Sequence, residues 1–419
     1  MKLFSLSLLL AGILLSACNS ETTTQAATDL DTPSANHLDT ARELAQRYVM
    51  ADGHVDLPYR MRIHNFRVSK EYLDVSERTP EGDFDYVRSK AGGLDAPFMS
   101  IYIPSQYQAT PGRSKQVADT LIAMVQGIPE RYPDKFALAN SPDEIEANFK
   151  KGLISLPMGM ENGSPIETDI DNVAYFHKAG IRYITLTHAT DNKICDSSYD
   201  TTRTWNGLSP FGVEVVQEMN RVGIMVDISH VSDSAFYDVM KIVETPVIAS
   251  HSSCRFYTPG FERNMNDDMI KMLGENGGVM MINFGSTFID SVSRARSNML
   301  SDAWNVYKAE SGATYGDSLY EEFRKDFFEQ NGSLFSNVKV VADHIEHVAK
   351  IAGVDHVGFG SDFDGVGDSL PVGLKDVSDY PTLIAELLDR GFTEADIEKM
   401  CFGNLARVWR AVEAHASGV

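Results

Sequence analysis

Cysteine is scarce, with four residues in 419, so the chain is not a disulfide-stapled scaffold. Basic residues are in deficit: 37 Lys and Arg stand against 59 Asp and Glu, a net charge of −22. That balance argues against nucleic acid or an anionic membrane surface as partner. It leaves a metal site open, because local carboxylates bind cations whatever the total charge. Tryptophan is rare, and no run of about 18 apolar residues occurs beyond the N-terminus, so no transmembrane helix is expected. No internal repeat is visible beyond an alternation of strand-like and helix-like segments. What remains is ordinary: 43% hydrophobic residues, 31 Gly and 16 Pro, which excludes collagen, coiled coil and wholesale disorder. The length fits two or three average domains or one α/β barrel.

The N-terminus is an address. Lys2 precedes an apolar stretch from Leu3 to Leu15, followed by Leu15-Ser16-Ala17-Cys18. A basic start, an apolar core and small residues before a cleavage point form a secretory signal. The Cys against the small residues resembles the bacterial lipoprotein signal, with cleavage before Cys18 and lipid on its sulfur; the alternative is a plain signal with an incidental Cys. Asn19 then favours the outer membrane, with the protein facing the periplasm. Residues 19 to about 40 are rich in Ser, Thr, Ala and Asp and form a flexible tether. The expected division is 1–17 signal peptide, 18–40 tether and 41–419 a single catalytic domain. With Cys18 lipidated, Cys195, Cys254 and Cys401 make an odd set, from which no disulfide framework follows.

Eight short runs ending in polar residues punctuate the mature chain: Tyr48–Asp56, Pro97–Ile103, Leu153–Glu161, Arg182–His188, Ile224–His230, Pro246–His251, Gly278–Phe284 and His356–Asp362. Most are apolar on both faces, as parallel strands covered by helices are. Segments with helical spacing intervene at Asp169–Ala179, Pro210–Val222, Ser232–Val243 and Met265–Glu275. Gly180, Gly223 and Gly277 fall where helices should stop. Eight β/α units predict a (β/α)8 barrel. An open doubly wound sheet is the competitor, but the polar residues sit at the C-terminal ends of seven runs, and only a barrel brings those ends to one mouth. Two connections are long, Pro58 to Ala96 and Gly285 to Asp355, the second helical in pattern.

The strand ends carry the chemistry. His54 and Asp56 share a face of the first strand and suit a divalent ion, although such a triplet alone is more often chance. Glu161 ends the third run, where a carboxylate is costly unless paired or bound to metal. His230 and His251 tip adjacent strands, His188 ends the fourth, and Asp362 and Asp364 follow the eighth. Four His and three carboxylates at one mouth suit two ions bridged by Glu161. Such a centre makes a hydroxide at neutral pH and holds it for attack, with Asp362 passing its proton to the leaving group. The remaining histidines read as structural: His37 in the tether, His177, His344 and His347 on helices, His356 at the wrong end of a strand, His415 near the terminus. His64 is left undecided, and Asp364 is a supporting partner or a loop residue.

Six motifs in order carry a resemblance: Asp52-Gly53-His54-Val55-Asp56-Leu57-Pro58, Met160-Glu161-Asn162-Gly163, Leu186-Thr187-His188, Asp227-Ile228-Ser229-His230, Ser250-His251-Ser252-Ser253 and Gly360-Ser361-Asp362-Phe363-Asp364-Gly365. Smaller matches are Gly207-Leu208-Ser209-Pro210-Phe211-Gly212, Arg263-Asn264 and Gly403-Asn404-Leu405-Ala406-Arg407-Val408. Over roughly residues 45 to 410 the chain resembles the membrane (renal) dipeptidase family of zinc metallopeptidases, as a bacterial lipoprotein member. The resemblance implies a (β/α)8 TIM barrel of the amidohydrolase type and two zinc ions per chain. His54 and Asp56 are implied to bind one zinc, His230 and His251 the other, and Glu161 both. Asp362 is the implied proton shuttle, His188 the implied group polarising the peptide carbonyl, and Arg263 the implied clamp on the substrate carboxylate, with Arg255 competing. The implied substrates are dipeptides, including those with a D-residue at the C-terminal position, and a homodimer is the family expectation. Val55 stands where many relatives have a polar residue. Two other classes compete: another binuclear amidohydrolase, such as a deacylase or lactonase, and a solute-binding lipoprotein without turnover.

Overall fold

A computed structural model of the chain describes residues 35–67, 73–314 and 318–418. The signal segment, Cys18 and most of the tether lie outside the described residues, as does the side chain of His64. Among the described residues there are ten strands: β1 Ala51–Val55, β2 Ala96–Tyr102, β3 Phe136–Leu138, β4 Ile154–Leu156, β5 Met158–Glu161, β6 Ile181–Thr185, β7 Met225–Asp227, β8 Ile248–Ser252, β9 Val279–Ile282 and β10 Val357–Phe359. Eight of them form one parallel sheet in the order β1-β2-β5-β6-β7-β8-β9-β10. The sheet closes: Val55 bridges Phe363, the Asp56 N–H donates to Phe363 O at 2.8 Å, and the Asp362 N–H donates to His54 O at 3.1 Å. The result is a parallel eight-stranded barrel wrapped by helices, the TIM-barrel architecture expected from the sequence.

One expected strand divides. The run Leu153–Glu161 splits at Pro157, which has no N–H to give a ladder. Before it, β4 pairs with β3 in a separate two-stranded parallel sheet; after it, β5 joins the barrel. β2 begins and ends one residue earlier than read, the other strands are shorter than read, and His188, His230 and Asp362 lie just past strand ends. His230 and Asp362 have left-handed backbone there, with φ of 68° and 64°.

Helices start and stop where local chemistry dictates. Ser209 caps Pro210–Val222, Ser232 caps Asp233–Ile242 and Asn266 caps Asp267–Glu275, each side-chain oxygen accepting a first-turn N–H. The long β9–β10 connection is helical, as its pattern predicts, with helices Ser286–Ile289, Ser291–Ser311, Ser318–Asn331 and Val338–Ala352. The C-terminal helix Asn404–Ser417 packs Leu405, Val408, Trp409 and Val412 against barrel-interior residues Ala51, Phe98, Tyr183 and Met281. Tyr183 fits inside because position 159 is glycine: a Cβ there would stand 1.9 Å from the Tyr183 ring. That ring reaches up from the interior to the catalytic end, where its hydroxyl meets His54.

Candidate metal centre

Parallel strands of similar length deliver their C-terminal residues to one level, and there the polar tips converge. Glu161, the last residue of β5, is the centre. Its Oε2 lies 3.4 Å from His54 Nε2, and its Oε1 lies 3.1 Å from His230 Nε2, 3.2 Å from His251 Nε2 and 3.6 Å from His188 Nε2. Asp56 Oδ2 is 3.5 Å from His54 Nε2. Three ligand sets form: His54, Glu161 and His251; Glu161, His188 and His230; and His54, Asp56 and Asp362, each with its atoms within 4.8 Å of one another. His188 thus stands only slightly farther from Glu161 than the expected ligands do. All these residues are buried except His188, which is partly open to solvent.

The donor set fits cations. His54 Nε2 and Asp56 Oδ1 are buried with no hydrogen-bond partner. The Nε2 atoms of His230 and His251 face each other at 2.9 Å, where at most one proton fits. The outer nitrogens anchor the rings. His54 Nδ1 meets Tyr183 Oη at 2.9 Å, and that hydroxyl donates to Gly53 O at 2.9 Å. His251 Nδ1 meets Ser250 Oγ at 2.7 Å, and Ser250 Oγ donates to Asp227 Oδ2 at 2.6 Å. In both, the anchored Nδ1 leaves Nε2 facing Glu161, the atom through which a metal ion would be held.

Electrostatics sharpens the division of roles. Burial disfavours the Glu161 carboxylate, but the imidazoles of His54, His188, His230 and His251 around it outweigh this and hold its pKa well below the usual range. Burial drives His230 and His251 well below the ordinary imidazole value, with Arg263 adding to it, so both are neutral, the form that binds metal. Burial pushes the Asp362 carboxyl well above its ordinary value; His54 opposes this, and Asp56 and Glu161 reinforce it. Burial also lowers His188.

The structure separates the two arginines. Arg255 forms a bidentate pair with Asp233, at 2.7 and 2.5 Å, and is engaged there. Arg263 is buried, its Nη1 donates to Ser252 Oγ at 2.8 Å and its Nη2 to His251 O at 2.7 Å, and its Nε has no partner. Several participants escaped the sequence reading. Asn283 donates from Nδ2 to Asp362 Oδ2 at 2.7 Å, and the Tyr102 ring lies 4.8 Å from His188. Asn283 directly follows β9, one of two strands whose ends were read without a functional residue; its position was the available signal. Asp364 accepts from Arg60 at 2.9 Å and from the Asp83 N–H at 2.7 Å, so it supports the loop beside Asp362.

The other histidines have structural partners. His344 Nδ1 accepts the Cys254 N–H at 2.9 Å and its Nε2 meets Ile289 O at 2.9 Å; His347 pairs with Asp267, His37 with Asp389 and His415 with Glu244. His356 Nδ1 meets Gly278 O at 2.7 Å. Cys195, Cys254 and Cys401 are free and buried. Among the described residues no helix is long and apolar enough to cross a membrane.

A sequence profile of the membrane dipeptidase family (peptidase family M19) matches residues 38–419. An uncharacterized dipeptidase of Schizosaccharomyces pombe is 31% identical over 387 residues, covering 89% of this chain and 82% of that protein. The crystal structure of the probable dipeptidase PvdM from Pseudomonas aeruginosa superposes with a TM-score of 0.76 at 24% identity, over 90% of this chain and 99% of that one. A metallo peptidase from Rhodobacter sphaeroides, solved with a phosphinate mimic of the dipeptide L-Ala-D-Ala, gives a TM-score of 0.70 at 23% identity, over 87% and 99%. Both structures share this barrel fold.

Proposed function

Because this chain belongs to the membrane dipeptidase family and is a metal-dependent hydrolase, we propose that it cleaves dipeptides with two zinc ions and accepts a D-residue at the C-terminal position. The observation carrying this reading is the convergence of four imidazoles and three carboxylates, with Glu161 facing both ligand groups. His54 and Asp56 would hold one ion and His230 and His251 the other, with Glu161 shared, a nitrogen and oxygen set that suits zinc. Bound there, the ions supply Lewis acidity, polarising a carbonyl and making water nucleophilic at neutral pH.

The chain's own side chains do the rest. Asp362 takes a proton from the attacking water and returns it to the departing amine. Asn283 holds Asp362 Oδ2, which leaves Oδ1 for the exchange. The raised pKa of this carboxyl lets it carry the proton between the two events. His188, neutral and packed against Tyr102, stabilises the developing oxyanion. Arg263 binds the free carboxylate through its unpartnered Nε edge, and fixing that carboxylate beside the scissile bond restricts substrates to two residues.

The test is hydrolysis of L-Ala-L-Ala and L-Ala-D-Ala by the chain from residue 19 onward, after chelation and again after zinc is restored. The mimic bound by the Rhodobacter sphaeroides protein motivates the second substrate. Zinc-restored cleavage of both is expected. No cleavage with both ions bound would move the assignment to a deacylase or lactonase. A lipid on Cys18, anchoring the protein in the outer membrane facing the periplasm, belongs to the same proposal. Fatty-acid labelling lost in Cys18→Ser supports the anchor, and labelling that persists refutes it. A homodimer completes it, and light scattering of the mature chain tests that part.

A further inference from the structure

Arg294 lies on the helix Ser291–Ser311, in the long connection between β9 and β10. Its guanidinium carbon stands 3.4 Å from the centre of the Phe261 ring. Phe261 is buried in the loop after β8, two residues before Arg263. The Phe261 ring is 6.0 Å from Tyr199, and the Tyr199 ring is 6.0 Å from His230. The Tyr199 hydroxyl senses the positive charge of both Arg263 and Arg294 and the negative charge of Asp362 and Glu161. Arg294 therefore belongs to the wall of the metal-bearing mouth, on its Arg263 side.

The charge of Arg294 is unbalanced. Among the described residues no carboxylate pairs with its half-buried guanidinium, and no hydrogen bond holds it. Its neighbours differ: Arg255 is bidentate to Asp233, Arg203 pairs with Glu262, and Arg263 is tied to Ser252 and to the His251 carbonyl. Acidic residues outnumber basic ones by 59 to 37, so carboxylates are plentiful for pairing. Withdrawing a cation from water without a counter-charge is unfavourable, and an aromatic face offsets only part of that cost. A site that keeps such a cation beside the catalytic mouth is matched to an anion that arrives with the substrate.

We propose that Arg294 receives the side-chain carboxylate of an acidic residue at the second position of the dipeptide, so that preferred substrates end in Asp or Glu. This rests on the dipeptidase reading above. The position follows from Arg263, which grips the α-carboxylate of that same residue. Arg263 lies 5.7 Å from the Phe288 ring, Phe288 is 5.9 Å from Phe261, and Phe261 carries Arg294. A side chain leaving the residue held by Arg263 runs along this aromatic wall to the second cation. The side chain of the first residue starts on the other side of the scissile bond.

The experiment compares kcat/KM for Ala-Asp, Ala-Asn and Ala-Ala with the zinc-loaded mature chain and its Arg294→Gln and Arg294→Lys variants. The parent should prefer Ala-Asp over the isosteric Ala-Asn by about tenfold or more. Arg294→Gln should lower kcat/KM for Ala-Asp by roughly ten- to hundredfold, chiefly through KM, and the neutral substrates by less than about threefold. Arg294→Lys should keep part of the preference, and raising salt from about 0.05 to 0.5 M should erode it in the parent. Equal losses on all three substrates, or a parent preference absent or insensitive to salt, would overturn the proposal. The salt series needs no substitution, so it decides even where Arg294→Gln folds poorly. Cleavage of Ala-Ala without acidic preference sinks this inference alone, whereas no cleavage of any of the three sinks the dipeptidase reading beneath it.

Discussion

Asp362→Asn separates proton transfer from architecture. Asp362 sits at φ 64° with its side chain buried, and Asn is among the few non-glycine residues that tolerate left-handed backbone. The bond from Asn283 Nδ2, 2.7 Å long, can be accepted by an amide oxygen as well as by a carboxylate. The fold should therefore lose about 1 kcal/mol or less. What disappears is the proton acceptor. General acid–base catalysis contributes roughly 10²–10⁴ in rate, about 3–5 kcal/mol of barrier, so kcat on Ala-Ala should fall by that factor. Because Asp362 lies within 4.8 Å of the ligand atoms of His54 and Asp56, the assay must count metal as well as rate. Saturating kinetics, elemental analysis and a thermal melt on the same preparation give all three quantities. A kcat within about threefold of the parent refutes the shuttle. A fall in kcat that follows a fall in bound metal refutes it too, because Asp362 would then act as a ligand.

Glu161→Ala should release both ions, since Glu161 alone faces both ligand groups; full occupancy by elemental analysis would contradict the bridge. Arg263→Ala should lower kcat/KM by roughly 10²-fold or more with a modest change in Tm, whereas Arg255→Ala should lower Tm by breaking the Asp233 pair and leave kcat/KM within about threefold. The opposite pattern would exchange their roles. His344 gives a pH signature: burial lowers its pKa from 6.5 to about 4, and its Nδ1 accepts a backbone N–H, so protonation breaks that bond. The unfolded chain takes up the proton first as pH falls, so this contribution is complete above about pH 6.5 and is lost on acidification toward pH 4, by up to about 3 kcal/mol. His344→Gln should flatten the dependence of Tm on pH between 7 and 4.5, and an unchanged slope would count against the assignment.

The barrel was legible because each strand is a short apolar run with a polar tip, and buried parallel strands leave little else for such runs to be. Helix starts follow from equally local chemistry, the Ser209 and Ser232 side chains accepting first-turn N–H groups. Less legible was whatever depends on contacts across the sequence. Pro157 lay inside an apparent strand, and only the pairing of β3 with β4 shows that the chain changes sheets there. Tyr183 looked like one more apolar strand residue. Its hydroxyl role appears only when Gly159 opens room for the ring and His54 arrives from a strand 129 positions away. Asn283 and Arg294 have no motif at all: one is defined by its bond to Asp362 and the other by a guanidinium with no carboxylate partner among the described residues.

The sequence reading also placed His230 and Asp362 in strands, where alternation would set their direction. In the structure both turn into left-handed backbone just past the strand, as does Asn162 beside Glu161. For a histidine this conformation costs about 1 kcal/mol or more, and it persists only where neighbours over-determine it. They do so here: the Ser198 N–H donates to His230 O at 2.8 Å, and the Asp362 N–H donates to His54 O at 3.1 Å. The second bond is also part of barrel closure, so the interaction that joins the first strand to the last segment sets the backbone of the proposed proton carrier. Strand alternation sends successive residues of one strand to opposite faces of the sheet, and it aims His54, Glu161 and His251, which lie within their strands. His230 and Asp362, past the strand ends, are aimed by the turned backbone instead.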